Sequence, residues 1–87
     1  MGIHANGQAY TAECYEEGWG VEPNLVSAFE WYTKAAEQED SIAQRCLGQF
    51  FEFGRGRDID LVQALFWYRK AEAQGDQLAM EAVERIS

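Results

Sequence analysis

Histidine is almost absent from this chain. His4 is the only one among 87 residues, and it lies close to the N-terminus. Chain ends are mobile, so a terminal imidazole makes a poor general base or metal ligand. Basic residues are scarce too: seven Lys and Arg stand against 15 Asp and Glu, for a formal net charge of −8. Nowhere do more than two basic residues stand side by side. That balance excludes nucleic acid and anionic membrane surfaces, which need clustered positive charge. Cysteine is limited to Cys14 and Cys46. Two cysteines are no disulfide framework. The repeat described next sets them out of register on neighbouring helices, farther apart than a disulfide tolerates, so both are expected as buried free thiols. Long apolar runs are missing as well, with nothing near the roughly 18 residues of a membrane span. The opening MGIHANGQAY lacks the basic and apolar segments of a secretory signal, and Asn6 stands where myristoylation needs Ser or Thr. As written the chain is expected in the cytoplasm; a removed presequence would make it periplasmic or secreted.

What the chain does have is apolar material, 47% of residues with 14% aromatic, enough for one folded domain spanning 1–87. Displaced by 36 residues, the sequence matches itself. Residues 7–42 and 43–78 agree at 13 of 36 positions, with no insertion, and a partial third unit follows over 79–87. AFEWYTKAAEQ at 28–38 returns as ALFWYRKAEAQG at 64–75. The identities include Glu16/Glu52, Gly18/Gly54, Gly20/Gly56, Ala28/Ala64, Trp31/Trp67, Tyr32/Tyr68 and Gln38/Gln74. A period of this length signals a helical repeat array.

Within each unit the apolar spacing is helical. Ala43, Cys46, Leu47, Phe50 and Phe51 share one face, as do Leu61, Ala64, Leu65, Tyr68 and Ala71. Each first helix runs into a Gly-x-Gly breaker, GWGVEPN or GRGRDID, whose glycines suit the positive φ of a helix end. Pro23 cannot continue a helix, and Asn24 and Asp60 stand where an N-cap belongs. The spacing predicts helices near 5–17, 25–38, 41–53, 61–74 and 77–86. The fold expected is all-α, an α/α solenoid (right-handed superhelix) of antiparallel helix pairs closed by a C-terminal capping helix.

These phrases resemble the Sel-one-like repeat family, relatives of the tetratricopeptide repeats. Ala43, Leu47, Gly48, Phe51, Gly54 and Gly56 carry its first phrase in unit two, and Tyr15, Gly18, Gly20 and Val21 carry it in unit one. Ala28, Trp31, Tyr32, Lys34, Ala35 and Gln38 carry the second, repeated from Ala64 to Gly75. The departures are Thr11-Ala12 for the Leu-Gly step, Arg57 for the loop valine, and Glu39 for the terminal glycine. A left-handed Glu39 would cost on the order of 1 kcal/mol. The resemblance implies a non-enzymatic scaffold that binds a protein or peptide, often in bacterial signalling, secretion or host interaction.

Nothing in the residues points to catalysis. Ser27, Ser41 and Ser87 lie in no nucleophile elbow. Arg45 is beside Cys46, but adjacent helical residues point apart. No His, Cys and carboxylate set has metal-ligand spacing, the Gly-x-Gly steps lack a dinucleotide fingerprint, and no cofactor is implied. The Trp-Tyr pairs recur with the period, so they read as inter-repeat packing.

The resemblance also implies that the first helix of each pair lines a concave face. Its exposed stripe is expected to hold Ala9, Glu13, Glu16 and Glu17, then Arg45, Gln49, Glu52 and Phe53, then Glu81 and Arg85. Trp19, whose counterpart is Arg55, is either folded back or an exposed contact. The function expected is an adaptor gripping a protein with a basic patch through Glu13, Glu16, Glu52 and Phe53. Charge reversal at Glu16 and Glu52 is expected to weaken binding with little effect on stability. A different class is an inhibitor or immunity-type protein capping a basic active site, suited by the net charge. A weak homodimer by end stacking is a further expectation.

Overall fold

A computed structural model describes residues 11–86. Residues 11–17 are helical (α1), followed by α2 (Leu25–Glu37), α3 (Ser41–Phe53), α4 (Leu61–Ala73) and α5 (Gln77–Ile86). There is no strand among the described residues. The start expected for α1 near residue 5 lies outside them; the other helices fall within a residue of the periodicity's prediction.

The helix ends explain why. The Asn24 side chain accepts from the Ser27 amide at 3.1 Å, and Asp60 accepts from Gln63 at 3.1 Å. Asp40 and Asp76 cap α3 and α5 in the same way, through Ile42 and Ala43 and through Ala79. Each cap satisfies amides that the first turn leaves unbonded. Gly54 closes α3 at φ 67°. The turn after α2 is closed by Glu39 at φ 68°, where the turn after α4 has Gly75 at φ 90°.

Small residues let the helices approach. Ala28, Ala35, Ala36, Ala43, Ala64, Ala71 and Ala79 are all fully buried. Between them lie the large groups: Tyr32, Leu47 and Phe50 in one cluster, and Phe51, Tyr68 and Val83 in the other. Phe29 and Trp67 touch both clusters, and Trp31 lies against the first. The doubled Trp-Tyr phrases are therefore glue between helix pairs. α3 packs on both α2 and α4, and α5 packs on α4. A buried amide, Gln44, ties the units together: it donates to the Ala36 carbonyl and accepts from Gln74. The two cysteines are free, as expected, but half-buried.

Candidate functional site

The site begins with the repeat's tyrosines. A buried phenol must place its hydroxyl against an acceptor. The Tyr32 hydroxyl donates to Glu16 Oε1 at 2.8 Å, and Tyr68 donates to Glu52 Oε1 at 2.7 Å. Each carboxylate also takes an arginine from the following unit. Arg55 meets Glu16 at 3.0 Å; Arg85 meets Glu52 through both carboxylate oxygens, the nearest at 2.7 Å. These two clasps join three elements apiece.

The clasps revise the expected stripe. Helical spacing predicts Glu16 and Glu52 on the exposed face, yet their side chains are only 14% and 10% exposed. The reason is the tyrosine hydroxyl beneath each one, which draws the carboxylate inward. Arg45 is likewise engaged, with Asp76 at 3.1 Å, and half-buried. Charge reversal at Glu16 or Glu52 would therefore damage the fold, contrary to the expectation of unchanged stability.

Burial raises both tyrosine pKa values far above the usual range, joined at Tyr32 by Cys46 and then Glu16 and at Tyr68 by Glu52. Burial also pushes the Cys46 thiol up to about 11. It is an inert neutral thiol at physiological pH, because the thiolate is the reactive form. Hydrogen bonding to Glu52 raises the Arg85 pKa further.

What is left at the surface of the first helices is clear. Glu13 and Glu17 are exposed on α1, Phe53 on α3 and Glu81 on α5; Gln49 is half-buried. Ala9 lies outside the described residues. Trp19 and Phe53 are each more than half exposed, which resolves Trp19 in favour of the open position. The Glu16–Arg55 pair ties the end of α1 to the loop after α3, which places Glu17, Trp19 and Phe53 toward the same end of the two first helices. Ile42 and Leu78, one period apart on α3 and α5, are also exposed. Sequence reasoning missed them by looking only at residues that do not recur.

The electrostatics follow from the pairing. Arg45, Arg55 and Arg85 hold carboxylates, Arg57 lies 4.0 Å over the Phe29 ring, Lys34 lies 4.4 Å over Trp31, and Lys70 sits over Phe66. Six of the seven basic groups are thus engaged, and the excess acid is what faces solvent. The slab measures 37 × 32 × 16 Å. Among the described residues there is no pocket and no metal-holding group of side chains. No described helix is long and apolar enough to cross a membrane.

Comparison with known proteins places this geometry. No curated protein matches the chain. A solved Sel1 repeat protein from Oxalobacter formigenes superposes with a TM-score of 0.90 at 36% identity, over 93% of this chain and 61% of that one. A protective antigen of uropathogenic Escherichia coli displaying an SLR fold superposes with a TM-score of 0.90 at 32% identity, over 94% of this chain and 18% of that one. The chain thus spans less than two thirds of either, and shares their α/α solenoid architecture. The Sel1 repeat profile matches residues 5–40 and again 41–76. With both units matched in tandem and the helix pairs stacked as in those structures, the chain belongs to the Sel1 repeat family.

Proposed function

We propose that this chain is a non-enzymatic scaffold that binds a basic protein or peptide segment through its first-helix face. Family membership supports protein binding in general. The observation that carries the finer reading is exposed Phe53, standing where unit one has Glu17, toward the same end of the first helices as Glu17 and Trp19. Aromatic anchors of this kind dominate interface energetics when they fill a partner's pocket. Glu13, Glu17 and Glu81 are exposed on the first helices and give this face negative charge, which steers a basic partner. Glu16, Glu52 and Arg45 hold the face in shape from beneath. Gln49 lines it between Arg45 and Phe53.

The test is affinity capture from the native cell with wild-type chain, Phe53→Glu, and the double variant Glu13→Lys/Glu17→Lys. All three residues are exposed or free of clasp contacts, so melting temperatures should agree within a few degrees. A stoichiometric partner retained by wild type and lost from both variants supports the assignment. Equal retention by all three places the contact elsewhere.

A further inference from the structure

The outward faces of α2 and α4 are equivalent in the repeat but differ in chemistry. On α2 the outward positions are Val26, Glu30, Thr33 and Glu37; on α4 they are Val62, Phe66, Arg69 and Ala73. Ile59, just before α4, replaces Pro23. Val62 and Phe66, one turn apart on α4, are 77% and 51% exposed, and Ile59, in the extended segment just before the helix, is 63% exposed. The buried side of α4 is formed by Ala64, Tyr68 and Ala71, so Ile59, Val62 and Phe66 lie outside the core, although Phe66 meets the Trp67 ring edge-on and Ile59 rests against Gly54. Charge is ordered along the same stripe. Asp58 and Asp60 lie at its start, and Arg69 and Lys70 lie near its end. Arg69 is the one basic residue not engaged by the clasps or rings described above. On a chain of net charge −8, this stripe is the exception: apolar in the middle, acidic at one end and basic at the other.

Such a stripe is complementary to itself when turned end for end. We propose that the outward face of α4 is a self-association surface, on which α4 of a second copy lies antiparallel across a two-fold axis. With the axis between Val62 and Phe66, Val62 of each copy faces Phe66 of the other. The same arrangement brings the acidic segment Asp58–Asp60 of each copy toward Arg69 and Lys70 of the other. An isologous contact of this kind satisfies both charged ends at once. A basic-charged or purely apolar partner would satisfy only part of the stripe, which is why a second copy is the occupant that fits. Three large apolar residues a side fall short of the roughly 800 Å² per partner of a standard interface, so the dimer is weak, with Kd on the order of 10–100 µM. This surface lies on the other helix layer from the first-helix face, so the two associations are independent.

Sedimentation equilibrium over a range of about 5–500 µM tests it, spanning both sides of that Kd. Wild type should move from monomer to dimer across the range. Phe66→Glu restores the residue type that unit one carries at Glu30, so it should fold and melt as wild type does. It should remain monomeric throughout, at least roughly tenfold weaker in association. Asp58→Lys alone and Lys70→Glu alone should each weaken the dimer about fivefold, and the two together should recover it. Monomeric wild type at every concentration overturns the proposal. So does a dimer that persists in Phe66→Glu, or one lost in Phe53→Glu instead. Failure of the charge swap to recover association overturns the antiparallel register.

Discussion

Replacing Glu39 with glycine should make this protein more stable, although it removes a side chain and adds nothing. Glu39 holds φ 68° in the turn between α2 and α3, where its amide donates to the Ala36 carbonyl at 3.0 Å. An L-residue in that left-handed region carries about 1–2 kcal/mol of steric cost between Cβ and the following carbonyl. Glycine carries none, but its unfolded chain is freer, which takes back roughly 0.4–1 kcal/mol. The net gain is close to 1 kcal/mol. Electrostatics add little, since the Glu39 charge lies past the C-terminus of α2 and just ahead of α3, and opposite helix dipoles nearly cancel there. The second unit contains the experiment in reverse. Gly75 sits at φ 90° with no neighbour near an added Cβ, so Gly75→Ala should lose a similar amount through the backbone alone. Urea unfolding reads both. With a slope near 1 kcal/mol/M, Glu39→Gly should raise the midpoint by about 1 M at unchanged slope. Glu39→Ala separates backbone from charge: it keeps the strain and should leave the midpoint nearly where it was. If alanine stabilises as much as glycine, the effect is charge and the strain argument fails.

Three further outcomes follow from the clasps and the packing beneath them. Glu52→Ala should cost about 2 kcal/mol, because the buried Tyr68 hydroxyl loses a charged acceptor; Tyr68→Phe should cost less, and a double-mutant cycle measured by urea unfolding should show coupling between them. Stability should be level through neutral pH and fall at high pH. Tyr32, Tyr68 and Cys46 have folded pKa values raised above their unfolded ones, so their contribution is whole below about pH 9 and is lost as pH climbs toward the folded values, at up to about 1.4 kcal/mol per pH unit per group. A urea midpoint unchanged to pH 11 would refute this, and Tyr68→Phe should flatten the decline. Gly48→Ala should be close to neutral: a Cβ there would lie 2.7 Å from the Tyr68 ring, an overpacking cost of roughly 1–3 kcal/mol set against about 1 kcal/mol of gained helix propensity. Unit one already carries buried Ala12 at this position with the Tyr32–Glu16 bond intact, so the strain can relax and the lower figure applies, as thermal unfolding should show.

The helices were legible because their signals are local. Asn24 and Asp60 announce the starts of α2 and α4 by side-chain chemistry that needs no tertiary partner, and Gly54 announces the end of α3 in the same way. The buried alanines and tyrosines were legible because the period repeats them. The direction of Glu16 and Glu52 was not. Helical spacing gives the angle of a side chain around its own axis, and at that angle both glutamates are half-turned to solvent; what pulls them inward is a hydroxyl 16 residues away and an arginine from the next unit. One signal was available. Glu16/Glu52 recurs with the period, as packing residues do, whereas Glu13, Glu17 and Trp19 do not recur. Arg57 was opaque for a related reason. It replaces a loop valine, yet its guanidinium lies over both Phe29 and Phe51, so a charged residue performs the covering role of an apolar one.

Recurrence must nevertheless be read group by group. Each clasp has the same glutamate and the same tyrosine, but the arginine comes from the loop after α3 in one and from α5 in the other. The carboxylate needs a cation there; the fold does not prescribe which element delivers it. That freedom bears on Trp19. It occupies the loop position that in unit two belongs to Arg55, and an indole cannot make an ion pair with a glutamate. The same backbone position is therefore an internal tie in one unit and an open aromatic in the other. Packing accounts for the first and, among the described residues, gives no reason for the second.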